Sequence, residues 1–348
     1  MDFEIKKLGD LASFSYGKMP KKEKITPTGK YPIFSGYRIV GYYDEYNLEK
    51  DCLVVVARGV GGTGDVKLTP SKCYLTNLSI SVIPNEQMVR TQYLYYYFLL
   101  NNLRYLDSGS AQSQITINDL SKVSLPIPPI PTQDKIVSVL RSLDAKIKAN
   151  AEINNNLLEQ AQALYTSMFI TNADPSWQQG RLSDLITVRY GKDHKKLADG
   201  VYPVYGSGGI MRYAERPLYE HESVLIPRKG TLNNVMYVNE PFWSVDTMFY
   251  TEMRVPNVAK FVYHFVKSKD LASMNAGSAV PSMTTDILNA MELAIPSELA
   301  LAEFEDLVAP MYRTMKANDI QTAQLINLRD SILPKLMSGE LDVSAIEI

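Results

Sequence analysis

The sequence has little cysteine and no hydrophobic run long enough to span a membrane. Its 348 residues include two cysteines, Cys52 and Cys73, which lie 21 residues apart and belong to no paired motif. This spacing supports neither a disulfide framework nor a zinc site, so we interpret both as buried or incidental thiols. The first residues are too polar for a secretory signal peptide, and we therefore expect a cytoplasmic protein.

The sequence also lacks an excess of either charge and the common catalytic motifs. A net charge of −2 and a pI near 6.0 argue against a protein that coats nucleic acid indiscriminately. There is no HExxH, no P-loop, no nucleophile elbow and no Asn/Asp-Pro-Pro-aromatic run of the kind that amino-methyltransferases use, and the three histidines are scattered. Gly59 to Gly64 match GxGxxG, but residues 65–70 are predicted to form a strand or turn where that motif requires a helix. We expect no catalysis by this chain.

What the sequence does contain is an internal duplication. Leu8-Gly-Asp-Leu11 returns 174 residues later as Leu182-Ser-Asp-Leu185, and Tyr16-Gly17-Lys18 returns as Tyr190-Gly191-Lys192. Other matches link Tyr31 to Tyr202, Arg58 to Arg228 and Gly109-Ser-Ala111 to Gly277-Ser-Ala279, with the offset falling to 168. A period this long indicates duplicated domains, because solenoid repeats are much shorter.

Each copy begins with short β-like runs separated by Gly and Pro and continues with a helical stretch, Val89 to Leu103 or Val258 to Leu271. We expect the aromatic residues of these stretches to form core. Each copy then reaches a proline segment, which is extended at Pro126 to Pro131 and reduced to Ile295-Pro296 in the second copy. The fold class is therefore α+β, with two similar β-rich heads.

After each proline segment, apolar residues are spaced four and three apart, which predicts a long helix with a coiled-coil seam. The seam positions are Ile136, Leu140, Leu143, Ile147, Asn150, Asn154, Leu157, Ala161, Leu164 and Met168, then Phe304, Val308, Met311, Met315, Asn318, Thr322, Leu325, Arg329, Ile332 and Leu336. Both seams place an asparagine, Asn150 or Asn318, at the same position. A polar residue at such a site typically fixes register, although the two asparagines could instead tolerate solvent on a loose helix.

Helix length indicates how these two helices pair. The first would extend about 54 Å at 1.5 Å per residue, whereas the connector from Ile170 to Arg181 reaches about 41 Å at most. The second helix should therefore run antiparallel to the first, with Asn150 and Asn318 meeting at the centre of a pseudo-twofold dumbbell. We predict the boundaries as first head 1–131, first helix 132–170, second head 171–298, second helix 299–340 and a tail at 341–348.

A basic cluster recurs in place in both heads. Lysines near a Gly or Pro in a loop are typical phosphate contacts, although such a charge run is often only a solvated surface. Its recurrence in a nearly neutral protein favours DNA binding. The candidate residues are Lys18, Lys21, Lys22 and Lys24 in the first head, and Lys192, His194, Lys195 and Lys196 in the second.

Two further segments are candidate DNA contacts. One is the loop after a buried strand, where Gly permits close backbone approach and Arg or Asn can read base edges; it contributes Arg58 and Thr63, then Arg228, Lys229, Thr231, Asn233 and Asn234. The alternative is that these loops are β-turns whose arginines pair with carboxylates. The other segment is the polar run around Gln112, which could touch DNA or only cap the next element.

These features together resemble the specificity (S) subunit of type I restriction-modification systems over essentially the whole chain. The doubled head-plus-helix layout, Leu8-Gly-Asp-Leu11, Leu125 to Gln133 and the ending Leu333 to Leu341 carry the resemblance. In the second copy the proline segment is reduced, and Val280-Pro281 replaces Gln112-Ser113, so the second polar loop departs from the pattern.

The resemblance implies that each head is a target recognition domain reading one half of a bipartite, asymmetric DNA site. It implies that the helices set the spacer and dock two modification subunits, which use S-adenosylmethionine to methylate adenine, and that nuclease-translocase subunits can join. This chain itself would bind neither a cofactor nor a metal. Two alternatives are the specificity chain of another methylase or restriction class, and a scaffold that binds protein and never DNA.

Overall fold

The computed structural model describes residues 3–36, 38–59, 62–107, 113–274 and 282–344. The chain divides into two compact units. Unit 1 comprises Met1–Ala149 together with Ile320–Ile348, and unit 2 comprises Asn150–Asp319. Each unit contains one β-rich head and a part of each of two long helices.

The two heads contain the same strands and α-helices in the same order, and unit 1 also has two short 3-10 helices, Lys22–Lys24 and Arg104–Leu106. In unit 1 these are β1 (Glu4–Lys7), α1 (Leu8–Leu11), β2 (Ala12–Tyr16), β3 (Tyr31–Ser35), β4 (Arg38–Tyr43), β5 (Leu53–Val56), β6 (Val66–Leu68), β7 (Tyr74–Leu75), β8 (Ser79–Pro84), α2 (Thr91–Leu100), α3 (Ile117–Ser121) and β9 (Ser124–Ile127). The first long helix, α4 (Ile130–Thr166), follows and continues into a short π-helical turn at Ser167–Thr171.

Unit 2 repeats that order element by element. It contains β10 (Gln179–Arg181), α5 (Leu182–Leu185), β11 (Ile186–Tyr190), β12 (Asp199–Gly206), β13 (Gly209–Ala214), β14 (Ser223–Pro227), β15 (Met236–Val238), β16 (Trp243–Ser244), β17 (Met248–Met253), α6 (Ala259–Lys267), α7 (Thr285–Asn289) and β18 (Glu292–Ala294). The second long helix, α8 (Glu298–Ser338), follows. The sequence prediction of duplicated β-rich domains is confirmed.

Sheet topology is also the same in the two heads. Unit 1 has a four-stranded sheet in the order β2-β8-β5-β6, a three-stranded sheet in the order β4-β3-β7 and the pair β1-β9. Unit 2 has β11-β17-β14-β15, β13-β12-β16 and β10-β18. The short β-like runs that the sequence predicts at 53–57, 78–83, 223–226 and 235–238 correspond to β5, β8, β14 and β15. Strand β6 follows Gly64 where a dinucleotide motif would require a helix, so the rejection of that motif is confirmed.

The chain enters and leaves each head through one antiparallel strand pair. In unit 1, Lys7 lies opposite Ser124, and in unit 2 Arg181 lies opposite Glu292. These pairs are equivalent, although the second head is six residues shorter between them. All of the length difference is therefore absorbed between the first and last strands of the head.

The core of unit 1 is built by α2 packing between the four-stranded sheet and parts of the long helices. Tyr93, Tyr96 and Phe98 on α2 are buried together with Ile136 of α4 and Leu336 of α8. In unit 2, α6 takes the same position with Phe261, Tyr263 and Phe265, as predicted for the aromatic residues of this stretch. Burying each large side chain contributes about 1.5–3 kcal/mol, so these helices fix the head to the long helices of its own unit. Cys52 and Cys73 are both buried, as expected.

The long helices have the predicted seam. Every predicted seam position, all of them among the described residues, is buried or half-buried. The proline segment is a correction: it is extended only to Ile127, and α4 already begins at Ile130. Pro131 is compatible with this start because a helix leaves the N–H groups of its first turn without intrahelical partners.

Side-chain contacts in unit 2 show that the helices run antiparallel. Asn150 Nδ2 lies 3.4 Å from the carbonyl oxygen of Asn318, while Asn154 Nδ2 lies 3.2 Å from that of Met315. The partner number falls as the residue number rises, which is the antiparallel pattern. The structure thus brings the two predicted asparagines together, and Asn318 Nδ2 also donates to Asn154 Oδ1 at 2.8 Å. Their role in fixing register stays a prediction.

Candidate nucleic-acid interface

In unit 1, the two strands that precede the candidate loops end at the same edge of the four-stranded sheet. Strands β2 and β5 lie on either side of β8 and are both antiparallel to it. Tyr16, the last residue of β2, lies opposite Ile80, and Val56, the last residue of β5, lies opposite Ser79. The loops that carry Lys18 and Arg58 therefore leave the sheet side by side.

Unit 2 has the same arrangement. Tyr190 at the end of β11 lies opposite Phe249, and Pro227 at the end of β14 lies opposite Met248. The loops that begin at Gly191 and Arg228 leave one edge of this sheet. Two loops that the sequence suggested separately thus form one surface in each head, which we call the basic edge.

The third candidate segment returns to the same edge. Gln114 forms a β-bridge with Arg58, and the N–H of Ile115 donates to the carbonyl of Ala57 at 2.9 Å. In unit 2, Ser282 forms the bridge with Lys229, and Met283 donates to Arg228 at 2.9 Å. Gln112 itself lies outside the described residues.

These contacts correct the sequence match between Arg58 and Arg228. The carbonyls of Ala57 and Arg228 both accept a hydrogen bond from the returning segment of their head. Arg58 and Lys229 both form a β-bridge with that segment. The structural counterpart of Arg58 is therefore Lys229, and Arg228 corresponds to the buried Ala57. The sequence match was wrong by one residue because it followed the arginine itself rather than the strand that leads to it.

Close backbone packing explains why Tyr-Gly-Lys recurs. A Cβ atom on Gly17 would lie 2.2 Å from the carbonyl oxygen of Thr76, and one on Gly191 would lie 2.0 Å from that of Val245. Only glycine allows this approach. The next N–H groups, of Lys18 and Lys192, then donate to Leu75 and Ser244 at 2.9 and 2.8 Å, which fixes where each basic loop starts.

Most of the predicted cations are available to a ligand. Among the described residues, the candidate lysines and Arg58 form no ion pair, and their side chains are exposed. The lysines are Lys18, Lys21, Lys22 and Lys24 in unit 1, and Lys192, Lys195, Lys196 and Lys229 in unit 2. Such groups can bind phosphate without first breaking an internal bond.

Other candidate residues are occupied within the fold. Thr63 is buried and donates to the Gly59 carbonyl at 3.0 Å. Asn233 bonds to Asp270 at 3.0 Å and to the N–H of Ala272 at 2.9 Å, and its bond lowers the pKa of the Asp270 carboxyl. Asn234 donates to the Ser207 carbonyl at 2.8 Å. These side chains hold the loops in place.

Arg228 is also partly occupied. Its guanidinium lies 5.3 Å from the centre of the Tyr190 ring and donates to the Asp246 carbonyl at 3.3 Å. It pairs with a backbone oxygen and a ring face rather than with a carboxylate. His194 is half-buried, and Thr231 is exposed.

Sequence reasoning missed the hairpins β3–β4 and β12–β13. The Ser207 carbonyl at the tip of the second hairpin accepts from Asn234 of the basic edge. In unit 1, Thr76 Oγ1 donates to Ser35 Oγ at 3.0 Å at the end of β3. The match of Tyr31 to Tyr202 already held the signal, because the same offset continues through both hairpins.

The described part of the chain contains no cluster of three or more His, Cys, Asp or Glu residues that could hold a metal ion. Within the same residues, no helix has the length and apolar character needed to cross a membrane. Each head thus presents a cationic surface at one edge of its four-stranded sheet.

Comparison with known proteins agrees with this geometry. The family model described as the type I restriction modification DNA specificity domain matches residues 1–159 and 175–299. The type I restriction enzyme MjaIX specificity subunit of Methanocaldococcus jannaschii is 23% identical, with 98% of this chain and 94% of that protein covered. A putative type I specificity subunit of Mycoplasma pneumoniae is 24% identical, with 95% of each chain covered.

A solved structure has the same fold. The crystal structure of the type I restriction-modification system S subunit from M. genitalium superposes with a TM-score of 0.70 at 21% identity. The superposition covers 97% of this chain and 96% of that one. At this identity the likeness concerns the fold alone.

Proposed function

Since the chain belongs to the family of type I restriction modification DNA specificity domains, we propose that its two heads read the two halves of one split, asymmetric DNA sequence. The chain is a non-catalytic specificity subunit that directs a restriction-modification complex to DNA. Neither a scaffold that never binds DNA nor another restriction class is favoured by this membership.

One observation supports the proposal most directly. The same sheet edge in each head gathers the candidate loops and presents exposed cations that form no ion pair among the described residues. A protein with a net charge of −2 keeps three of the loop lysines, and the pair Arg58 and Lys229, in equivalent positions of both heads. Recurrence of a cationic surface on an otherwise neutral chain is expected of a protein that contacts DNA phosphates at two places.

We assign two kinds of contact to the basic edge. Lysines of the loops after β2 and β11 would bind phosphates and so position each head, without reading sequence. Arg58 and Lys229, at the start of the second loop, would reach base edges, where both residue types can bind guanine. The two loops differ in sequence beyond this point, as two different half-sites require.

The long helices would set the distance between half-sites and dock the other subunits. We propose two modification subunits and, in the nuclease form, restriction subunits that translocate DNA. S-adenosylmethionine would be bound by the modification subunit rather than by this chain. The complex would act in the cytoplasm, where the host DNA is methylated.

Salt dependence tests the phosphate contacts. The full chain carrying Lys21→Ala and Lys22→Ala should bind all duplexes more weakly, because two phosphate contacts are lost. The negative slope of log K against log salt should become shallower by about 2, since each phosphate contact contributes about 0.9. The matched control is Lys7→Ala with Lys122→Ala, two exposed lysines near the opposite end of β2. An equal slope in both double variants would contradict the assignment, and absence of duplex binding by the unmodified chain would contradict the function.

Selection from randomised duplexes tests the base contacts. Arg58→Ala should relax sequence preference in one half-site only, and Lys229→Ala in the other half-site only. Each should cost about 1–3 kcal/mol on the recognised duplex, which is the usual discrimination of one good base contact. Loss of preference in both halves from a single substitution would contradict the division of labour.

A further inference from the structure

The second strand of each hairpin carries an exposed apolar pair. On β4 these residues are Ile39 and Val40, which are 49% and 45% exposed, and on β13 they are Ile210 and Met211, which are 49% and 60% exposed. The strand register shifts directly after Ile39 and Ile210, so Val40 and Met211 lie at a β-bulge. Each hairpin thus exposes two adjacent apolar side chains at an irregular point of its second strand.

Strand pairing shows that the two pairs are equivalent. Ile39 lies opposite Phe34, and Ile210 lies opposite Tyr205. Ile39 and Val40 lie 171 positions before Ile210 and Met211, and Phe34 lies 171 positions before Tyr205. The apolar pair is thus a feature that both copies of the head share.

An outer strand with two adjacent exposed apolar residues is unusual. Strands β4 and β13 each lie at one edge of a three-stranded sheet. Proteins normally protect such edges with charge, proline or a covering element, because an open apolar edge promotes association. Its presence at equivalent places in both heads indicates a surface that a ligand covers.

The hairpins adjoin the basic edge, which identifies the ligand. In unit 1, the N–H of Thr76 donates to Phe34 at 3.0 Å, and the neighbouring Leu75 carbonyl accepts from Lys18. In unit 2, Val245 donates to Tyr205 at 3.1 Å, and the neighbouring Ser244 carbonyl accepts from Lys192. In each head, one short segment links the hairpin to the first lysine of the basic loop.

We propose that Ile39 and Val40 in one head, and Ile210 and Met211 in the other, read DNA by packing against the 5-methyl groups of thymine in the major groove. This proposal rests on the proposed function. Thymine is the base that presents a methyl group there, and apolar side chains recognise it by contact. Cations beside the pair favour DNA over a protein partner, because they bring phosphates to the same place.

Sequence differences within the hairpins suit two different half-sites. Val40 is replaced by the longer, unbranched Met211, and Arg38 before the pair is replaced by Gly209. A methionine adapts its shape more easily than a valine. The second hairpin should accordingly tolerate more variation in the position of the methyl group than the first.

The first test removes single methyl groups from the DNA. The full chain, assembled with its modification subunit, selects its recognised duplex from a randomised pool, and each thymine of that duplex is then replaced by uracil. We expect one or two replacements in each half-site to weaken binding about fourfold, which corresponds to one methyl-sized apolar contact. A recognised sequence without thymine in either half-site, or uniform tolerance of uracil, would overturn the proposal.

The second test changes the protein. Ile39→Ser with Val40→Ser should abolish the uracil effect in one half-site, and Ile210→Ser with Met211→Ser should abolish it in the other. Ile83→Ser and Val201→Ser are matched controls, since these exposed apolar residues lie away from the hairpin tips. Loss of assembly with the modification subunit at an unchanged recognised sequence would assign the pair to a protein interface and overturn the proposal. If the lysine variants lose salt dependence but uracil has no effect, only this inference fails.

Discussion

The two units anchor their heads to the long helices at the same position but with different chemistry. In unit 1, Tyr96 of α2 donates to Asp144 of α4 at 2.6 Å, and Arg329 of α8 donates to the other carboxylate oxygen at 2.9 Å. In unit 2, His264 of α6 takes the place of Tyr96, and its two ring nitrogens contact Gln162 of α4 at 2.8 Å and Tyr312 of α8 at 3.0 Å. Each anchor joins three helices of its own unit.

The comparison shows that duplication preserved the geometry of the anchor and not its charge. The residue at the Asp144 position of the second copy is Tyr312, 168 residues later. The first anchor is a half-exposed ion pair, whereas His264 is fully buried among aromatic rings. Burial, assisted by nearby Lys267, lowers the pKa of His264 to about 4. The two units should therefore respond differently to mutation and to acid.

The largest difference should come from Lys260, one turn before His264 on α6. Its side chain is 4% exposed, and its ammonium contacts Glu222 at 3.1 Å and Glu305 at 2.7 Å and lies over the Tyr237 ring. Lys260→Met would leave two carboxylates without their cation and should lower the free energy of unfolding by about 2–4 kcal/mol. The counterpart in unit 1 is the half-buried Gln92. Gln92→Met should change the free energy of unfolding by less than about 1 kcal/mol. Urea titration of both variants measures the difference, and equal losses would contradict it.

An intermediate effect is expected from acid on the second anchor. The folded state resists protonating His264 until about pH 4, whereas the unfolded chain protonates it near its ordinary value of 6.5. Its contribution is therefore complete above pH 6.5 and is lost as the pH falls toward 4. From pH 7.5 to 5, His264 should account for about 2 kcal/mol of lost stability. His264→Gln should remove this part of the pH dependence, which urea titration at several pH values measures. If the stability of the variant still falls by the same amount from pH 7.5 to 5, His264 is not the cause.

The smallest effect should come from the first anchor. Arg329→Ala, which copies Ala161 at the equivalent seam position, removes a partly exposed ion pair and should cost about 1 kcal/mol. Because the pair is screened, the loss should shrink in high salt. A matched His264→Ala variant should show a larger loss that salt does not change. If both losses respond equally to salt, the distinction between a charged and a neutral anchor is wrong.

Periodicity and repetition were sufficient to predict the large features of the fold from the sequence. Heptad spacing identified both long helices and their seams, and helix length with connector length identified the antiparallel direction. These properties are set by local spacing and chain length. Helix α4 nevertheless begins inside the proline segment, because Pro131 is tolerated in a first helical turn.

The candidate site was predicted less completely because it depends on contacts between distant segments. Spacing alone could not show that Asn233 and Asn234 are occupied by Asp270 and Ser207. Nor could it show that Lys229, and not Arg228, takes the place of Arg58, because that requires the bridge to the returning segment. The basic loops after Gly17 and Gly191 were predictable from the sequence. A close backbone approach requires glycine at both positions, and Tyr-Gly-Lys is therefore repeated in the sequence.

The closing of each head by its own first and last strands has a consequence for how such a chain can change. Because Lys7 stays opposite Ser124 and Arg181 stays opposite Glu292 although the second head is six residues shorter, insertions and deletions within a head leave the pairing of its first and last strands unchanged. The loops of a head can therefore change in length and composition while the long helix after it still starts from the same strand pair.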